Sequence, residues 1–236
     1  KVQLAFDPVF ALPALLEKFR REQADQVALI EGARSRTWGE SIERIYRMAN
    51  GLAALGIVPG DHVAMLSPNS MDYSEMFAAT LIAGACAVPM QGLITDQSLN
   101  LMLRDCNAKA FIVARDMEEM THAFLRDSAQ IVPGGLIGFD FSNGQFRDLD
   151  HWLIAQSDAA PRVQLAGDDE FNIIYSSGTT GIPKGIVHSH ATRQALATGL
   201  MSMGITSETI TLVATPLYSN TTITTWWPTL CAGGTL

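Results

Sequence analysis

The sequence predicts an α/β fold with mostly parallel sheets flanked by helices in layered subdomains. Three observations carry that prediction. Short apolar runs alternate with segments of helical periodicity along most of the chain, the pattern of βαβ units. The 236 residues are 47% apolar and 17% charged, the balance of a globular chain. At this length roughly 70% or more of the unfolded surface can be buried, enough for one large domain or two small ones.

Residues 7–23 read as a helix with Leu12, Leu15, Leu16 and Phe19 on one side. Residues 27–31 and 34–38 read as a hairpin around Gly32. The clearest helix is 39–56, where Ile42, Ile45, Ala49, Leu52, Ala53 and Leu55 repeat at helical spacing and Gly56 suits the position just past the end. Pro59-Gly60-Asp61 then turns the chain into a strand over 62–66. The alternation continues with a helix over 71–83, a strand over 86–89, a helix over 97–106 and a strand over 110–114. A helix over 116–128, a strand over 136–139 and a short helix over 148–157 follow.

The stretch 157–169, with Pro161, Gly167 and the acidic pair Asp168-Asp169, reads as a polar joint. It divides a first α/β subdomain, 1–165, from the start of a second, 166–236. The second opens with a strand over 171–175, then a Gly/Ser/Thr loop, a short strand at 186–187, a helix from about Ser189 and a strand over 210–214. Residues 232–236 read as the entry to a strand, with no polar tail, so the chain is expected to be a fragment.

Charge and cysteines narrow the function. The net charge is −8 and no basic run exists, which argues against a nucleic-acid partner. Cys86, Cys106 and Cys231 are far apart and odd in number, so buried free thiols in a reducing, cytoplasmic setting are expected. No pair has zinc-site spacing, and no histidine is expected to cluster with them. Two uncharged runs, 76–95 and 209–236, are broken by glycine, proline or polar residues, so no membrane span is expected. The start, Lys1-Val2-Gln3, has no signal-peptide layout.

The chemistry concentrates in "YSSGTTGIPKGIVHSH", residues 175–190. Glycine lets the backbone approach a ligand closely, and successive N–H groups in such a loop make an anion site. Ser176, Ser177, Thr179 and Thr180 add hydroxyl donors, Gly178 and Gly181 the freedom, and Pro183 a stiff base for the charge of Lys184. A strand, a glycine-hydroxyl loop and a lysine together suit a polyphosphate. The loop is not a Walker A loop, because Pro183 stands where that pattern needs glycine and Gly185 where it needs Ser or Thr. Nor does either serine sit in a G-x-S-x-G frame. A mobile surface linker is the plain alternative, and the apolar strand before the loop speaks against it.

This stretch resembles the phosphate-loop signature of the adenylate-forming superfamily, which includes acyl-CoA synthetases, luciferases and peptide-synthetase adenylation domains. Arg36-Thr37-Trp38-Gly39-Glu40 resembles the first core motif, with Trp38 and Ser41 where Tyr and Leu are commoner. "LAALGIVPGDHV" (52–63) and "LIAGACAVPM" (81–90) resemble two further family segments. The resemblance runs through essentially the whole chain and covers about the first half of a typical member. It implies the N-terminal domain of the acyl-CoA synthetase-like fold, with the rest of that domain and a mobile C-terminal domain lying outside this sequence. It also implies ATP, Mg2+ and coenzyme A as cofactors and a small carboxylic acid as substrate. The acid would attack the α-phosphate of ATP, and a thiol would then take the acyl group. Ser176, Ser177, Gly178, Thr179, Thr180, Gly181, Pro183 and Lys184 would hold the β- and γ-phosphates. Lys184 and Thr179 would act in catalysis, and Ser176 would be a magnesium ligand.

One departure stands out. In many members a histidine follows Pro-Leu-Tyr/Phe, whereas here Ser219 follows Pro216-Leu217-Tyr218. His188 and His190 do not replace it by position and read as helix-start or buried polar residues. Tyr218, Ser219, Asn220, Ile223 and Trp226 would line or back the acyl site, although paired tryptophans, Trp226 and Trp227, are more often core. The absence of charge from 209 onward fits an apolar acid. A homodimer is compatible with the pattern, which does not fix the oligomeric state. The readings in play are an acid–thiol ligase, inactive as this portion alone, a non-catalytic binding module of the same fold, and an unrelated nucleotide hydrolase.

Overall fold

The computed structural model describes residues 4–126, 128–176 and 183–236. Pro13 sets where the first helix begins. It lacks an N–H and suits the first helical turn, so α1 runs over Leu12–Glu22 and buries Leu12, Leu15, Leu16 and Phe19. The helix therefore does not extend back to residue 7. Pro8–Phe10 make one 3-10 turn capped by Asp7, and Ala11 is extended between the two. β1 (Val27–Glu31) and β2 (Arg34–Thr37) pair antiparallel, with Gly32 at a φ of 61° in the turn. α2 (Trp38–Ala54) is entered through a capping box. Thr37 Oγ1 accepts from the Glu40 N–H at 3.3 Å, and Glu40 Oε2 accepts from the Thr37 N–H at 2.8 Å.

The alternation then builds one sheet. β3 (His62–Leu66), α3 (Met71–Ile82), β4 (Cys86–Pro89), α4 (Asp96–Asp105) and β5 (Ala110–Ala114) follow in chain order. After them come α5 (His122–Leu125), β6 (Leu136–Phe139), β7 (Arg147–Asp148) and α6 (Leu149–Leu153). The last elements are β8 (Glu170–Ser176), β9 (Lys184–Ser189), α7 (His190–Met201) and α8 (Asn220–Ala232). Seven strands pair in the order β7-β6-β5-β3-β4-β8-β9. Every neighbouring pair is parallel except β8 and β9. A parallel sheet needs both faces covered, and two apolar clusters lie on it. One joins β3, β5 and β8 residues to α1, α2, α3 and α8, and the other joins them to α4 and Phe124 of α5. α3 is buried on all sides. The sheet continues across residues 165 and 166, because β8 hydrogen-bonds to β4.

Further expectations change. The helix over 116–128 is a 3-10 segment, Arg115–Thr121, followed by the single turn of α5. The buried Thr121 hydroxyl donates to the Glu118 carbonyl at 2.7 Å, a local bond that competes with the α-helical ladder. The strand over 210–214 reduces to one bridge, Ile210 to Thr235. The carbonyls of Val213 and Thr215 instead accept from the Asn69 side chain. The strand at 186–187 is longer, covering all of β9, and α8 was not foreseen. Finally, a histidine does meet a cysteine, because the β3/β4 register sets His62 opposite Cys86. The three cysteines are free and buried as expected. Thr235 and Leu236 do pair as strand entry, with the Leu236 N–H donating to the Ala28 carbonyl at 2.8 Å. Among the described residues no helix is long and apolar enough to cross a membrane.

Candidate functional site

β8 is apolar because it lies inside the sheet, and its buried run Phe171, Asn172, Ile173, Ile174 and Tyr175 ends at the exposed Ser176. β9 returns antiparallel, so Lys184 stands opposite Ser176 as its Cα partner. Such partners lie about 5 Å apart. Gly185 permits this return, since a Cβ there would come within 2.9 Å of Ile173 Cγ2 and 3.3 Å of the Tyr175 ring. The hairpin thus presents a hydroxyl and an ammonium side by side where a buried parallel strand reaches the surface. Lys184 is exposed, and its ammonium pairs with no described residue. Pro183 is half-buried beside it. Ser177, Gly178, Thr179, Thr180 and Gly181 lie outside the described residues.

Tyr175 anchors the end of β8. Its hydroxyl donates to Asp105 Oδ2 at 2.5 Å, at the end of α4, and its carbonyl accepts from Gln91 Nε2 at 2.9 Å. Burial and the bond to Asp105 push the Tyr175 phenol well up, so it stays a donor.

A second group of residues gathers at the start of α8. Asn69, in the loop after β3, holds the approach to it. Its Nδ2 donates to the carbonyls of Val213 at 3.2 Å and Thr215 at 2.8 Å, and its Oδ1 accepts from the Leu217 N–H at 2.9 Å. Ser219 caps α8, its Oγ accepting from the Thr221 N–H at 3.2 Å. Asn220 Oδ1 accepts from Arg193 Nη1 at 3.0 Å. Arg193 is only 2% exposed. Its Nε donates to Asn172 Oδ1 at 3.0 Å, and its Nη2 has no hydrogen-bond partner among the described residues. Burial pushes this guanidinium down to about 10.

The five candidate acyl-site residues do not gather around one described cavity. Tyr218 and Ser219 are half-buried and Asn220 is exposed. Ile223 lies in the core. Trp226 is core too, its Nε1 donating to Ser74 Oγ at 2.8 Å and its ring 4.9 Å from Phe77. Trp226 also lines an apolar cavity of about 210 Å³ with Leu217, Leu212, Val213, Met71 and Ile30. His190 begins α7 and is buried, its ring 5.2 Å from Phe171 and 6.4 Å from Phe6. His190 therefore fits the helix-start and buried-polar readings, whereas His188 is half-buried in β9 and its Nδ1 has no hydrogen-bond partner among the described residues. Asn69 and Arg193 had not been singled out. A lone Asn in a loop and a lone Arg in a helix carry no spacing signal, and only the fold brings them to the start of α8.

Comparison with known proteins follows the same lines. The family of AMP-binding enzymes matches over residues 16–236. The chain is 34% identical over 156 residues to the long-chain-fatty-acid–CoA ligase FadD13 of Mycobacterium tuberculosis, covering 66% of this chain and 30% of that protein. It is 32% identical over 212 residues to the feruloyl-CoA synthase of an Amycolatopsis species, covering 89% of this chain and 40% of that protein. It spans less than half the length of either curated relative. The crystal structure of the N-terminal domain of FACL13 from Mycobacterium tuberculosis superimposes with a TM-score of 0.80 at 25% identity, covering 96% of this chain and 56% of that one.

Proposed function

The chain belongs to the family of AMP-binding enzymes, and from that premise we propose that it is the ATP-gripping portion of an acid–CoA ligase. The β8–β9 hairpin, which sets Lys184 beside Ser176 at the end of a buried strand, carries this reading. In the first step a carboxylate oxygen attacks the α-phosphorus of ATP. The bond to the β-phosphate oxygen breaks, and pyrophosphate leaves with the electron pair. In the second step the sulfur of coenzyme A attacks the acyl carbon, the thiol proton goes to solvent or a base, and AMP departs.

Charge builds on the pyrophosphate as its bond breaks. A cation and hydroxyl donors already aimed there stabilise the transition state more than the ground state. Lys184 supplies the cation, Pro183 fixes its backbone, and Ser176, Ser177, Gly178, Thr179, Thr180 and Gly181 supply the cradle. The exposed Ser176 hydroxyl suits a hard cation such as Mg2+, which when bound would neutralise phosphate charge. A long-chain-fatty-acid–CoA ligase and a feruloyl-CoA synthase are among the relatives that match, and the apolar cavity beside Trp226 and Leu217 favours an apolar acid. We place the division at 165/166 in chain order only, with 166–236 opening the second subdomain while β8 and β9 share the sheet of the first.

A second reading has one observation behind it. Ser219 serves as the cap of α8 and offers no imidazole there, which suits a module that binds nucleotide or acyl chain without turnover. The protein carrying these residues should be tested with a panel of acids for conversion of ATP to AMP, with and without coenzyme A. Lys184→Ala should lower kcat/KM by about 100-fold or more, the loss of one transition-state donor. Equal activity in that variant would remove Lys184 from the mechanism. Nucleotide binding without any AMP formation would favour the second reading.

A further inference from the structure

We propose that His62, Cys86 and Glu170 form a zinc-binding site where β3, β4 and β8 begin. The donor atoms of these three side chains, a ring nitrogen, Sγ and a carboxylate oxygen, all lie within 4.8 Å of one another. Zinc bonds of about 2.0–2.3 Å put neighbouring ligand atoms about 3.5 Å apart, so side-chain movements of about 1 Å close the site. The scaffold is rigid. His62 and Cys86 are Cα partners on neighbouring parallel strands, and Glu170 begins the next strand of the same sheet.

The imidazole is oriented as a metal-bound histidine is. Nδ1 lies 2.6 Å from the Cys106 carbonyl, an outer contact that leaves Nε2 facing the cluster, 2.8 Å from Glu170 Oε2. Cys86 is fully buried in the apolar core, and among the described residues its thiol makes only a long contact to the Ala87 carbonyl at 3.9 Å. Nitrogen, thiolate and carboxylate together suit zinc over magnesium or calcium, which prefer all-oxygen sets. Solvent reaches the site, because the His62 and Glu170 side chains are 22% and 41% exposed, and water would complete a fourfold shell. On binding zinc, a proton on Nδ1 can stay bonded to the Cys106 carbonyl while the lone pair of Nε2 meets the ion. The thiol proton passes to solvent, and the ring, thiolate and carboxylate all turn to the ion.

The location defines the role. Glu170 opens β8 and Ser176 closes it, so the site lies about 20 Å from Ser176. It takes no part in phosphate chemistry and does not rest on the proposed function. What it ties is a thin part of the sheet, where β4 and β8 share the single register pair Ala87 and Asn172.

Cobalt is the probe. The metal-free chain titrated with Co2+ should develop a thiolate-to-metal charge-transfer band in the near ultraviolet, and an equivalent of Zn2+ should abolish it. Cys86→Ser should lose the band and Cys106→Ser should keep it. Glu170→Gln alters only a partly exposed carboxylate, keeps the fold by circular dichroism, and should weaken zinc binding about 10-fold or more. Zn2+ should raise the thermal midpoint of the parent chain and leave Cys86→Ser unmoved. No band in the parent chain, or a band that survives Cys86→Ser, would overturn the site and leave His62 and Glu170 as an ion pair only.

Discussion

His190 makes this fold sensitive to acid in a way that can be calculated. Its ring lies between Phe171 and Phe6 at the start of α7 and is 5% exposed. Burial pushes its pKa from 6.5 down to about 4, with Asp169 pulling weakly the other way. The unfolded chain therefore binds the proton that the folded chain refuses, and stability falls as pH drops from 6.5 towards 4. The limiting loss is about 3 kcal/mol, at 1.36 kcal/mol per unit. Between about pH 7 and about pH 5 the linkage integral gives about 2 kcal/mol, since at the lower pH the free ring is mostly charged and the buried ring mostly neutral. Urea unfolding of the parent chain and of His190→Leu, each at both pH values, isolates this share. The other titrating groups, the lowered His188 among them, remain in both proteins. The parent should lose about 2 kcal/mol more than the variant. Equal losses would refute the reasoning and mean that the ring is protonated in place or exposed to solvent.

Two further substitutions test other parts of the fold. Asn69→Ala removes three of the bonds that hold 213–217 and should cost about 2–3 kcal/mol. Hydrogen exchange at Leu217 should quicken while exchange in β3 does not. Glu75 accepts from Arg36 at 2.6 Å, Arg44 at 3.0 Å and the Ser41 hydroxyl at 2.9 Å at a fully buried site. Glu75→Gln removes that charge and leaves both guanidinium groups with Asp72, at 3.0 Å and 2.7 Å. A loss of about 1.5–3 kcal/mol in denaturant unfolding is expected, the cost of weakened charged hydrogen bonds, and a change under about 1 kcal/mol would show that Glu75 adds little to the network.

The parts of this fold legible in the sequence are those where local pattern and burial agree. β3, β4 and β5 are short, apolar and bounded by turns, and a parallel strand buried on both faces has to be so. The phosphate-loop reading rests on glycine, hydroxyl and lysine spacing, and of its residues only Ser176, Pro183 and Lys184 lie among the described ones. α8 was not legible. Threonines and an internal proline disfavour helix, yet the hydroxyls of Thr224, Thr225 and Thr229 bond back to carbonyls of the preceding turn, and the buried face with Ile223 and Trp226 holds the helix in place. The segment 210–214 looks like a strand to any count of β-formers, but a side chain far away in sequence takes the Val213 carbonyl and that of Thr215 just beyond it. Arg193 was missed for the same reason. Its partners, Asn172 and Asn220, come from a strand before it and a helix after it.

The β8–β9 hairpin also sets a length standard for the chain. Its two arms share six register pairs, from Glu170 with Ser189 to Ser176 with Lys184, with an irregularity only at the end away from the loop. A slip of one residue would turn the charge at Lys184 to the opposite face, and a slip of two would carry it about 7 Å along the edge. The buried anchors Asn172 and Tyr175 oppose either slip. A residue inserted between Ser176 and Lys184 would therefore lengthen the intervening loop while the lysine stayed in place. A residue inserted into either arm would move the lysine while the loop kept its length. The gap between cation and strand end is thus measured out by the ladder, through the register pairs of the buried β8 residues that precede Ser176.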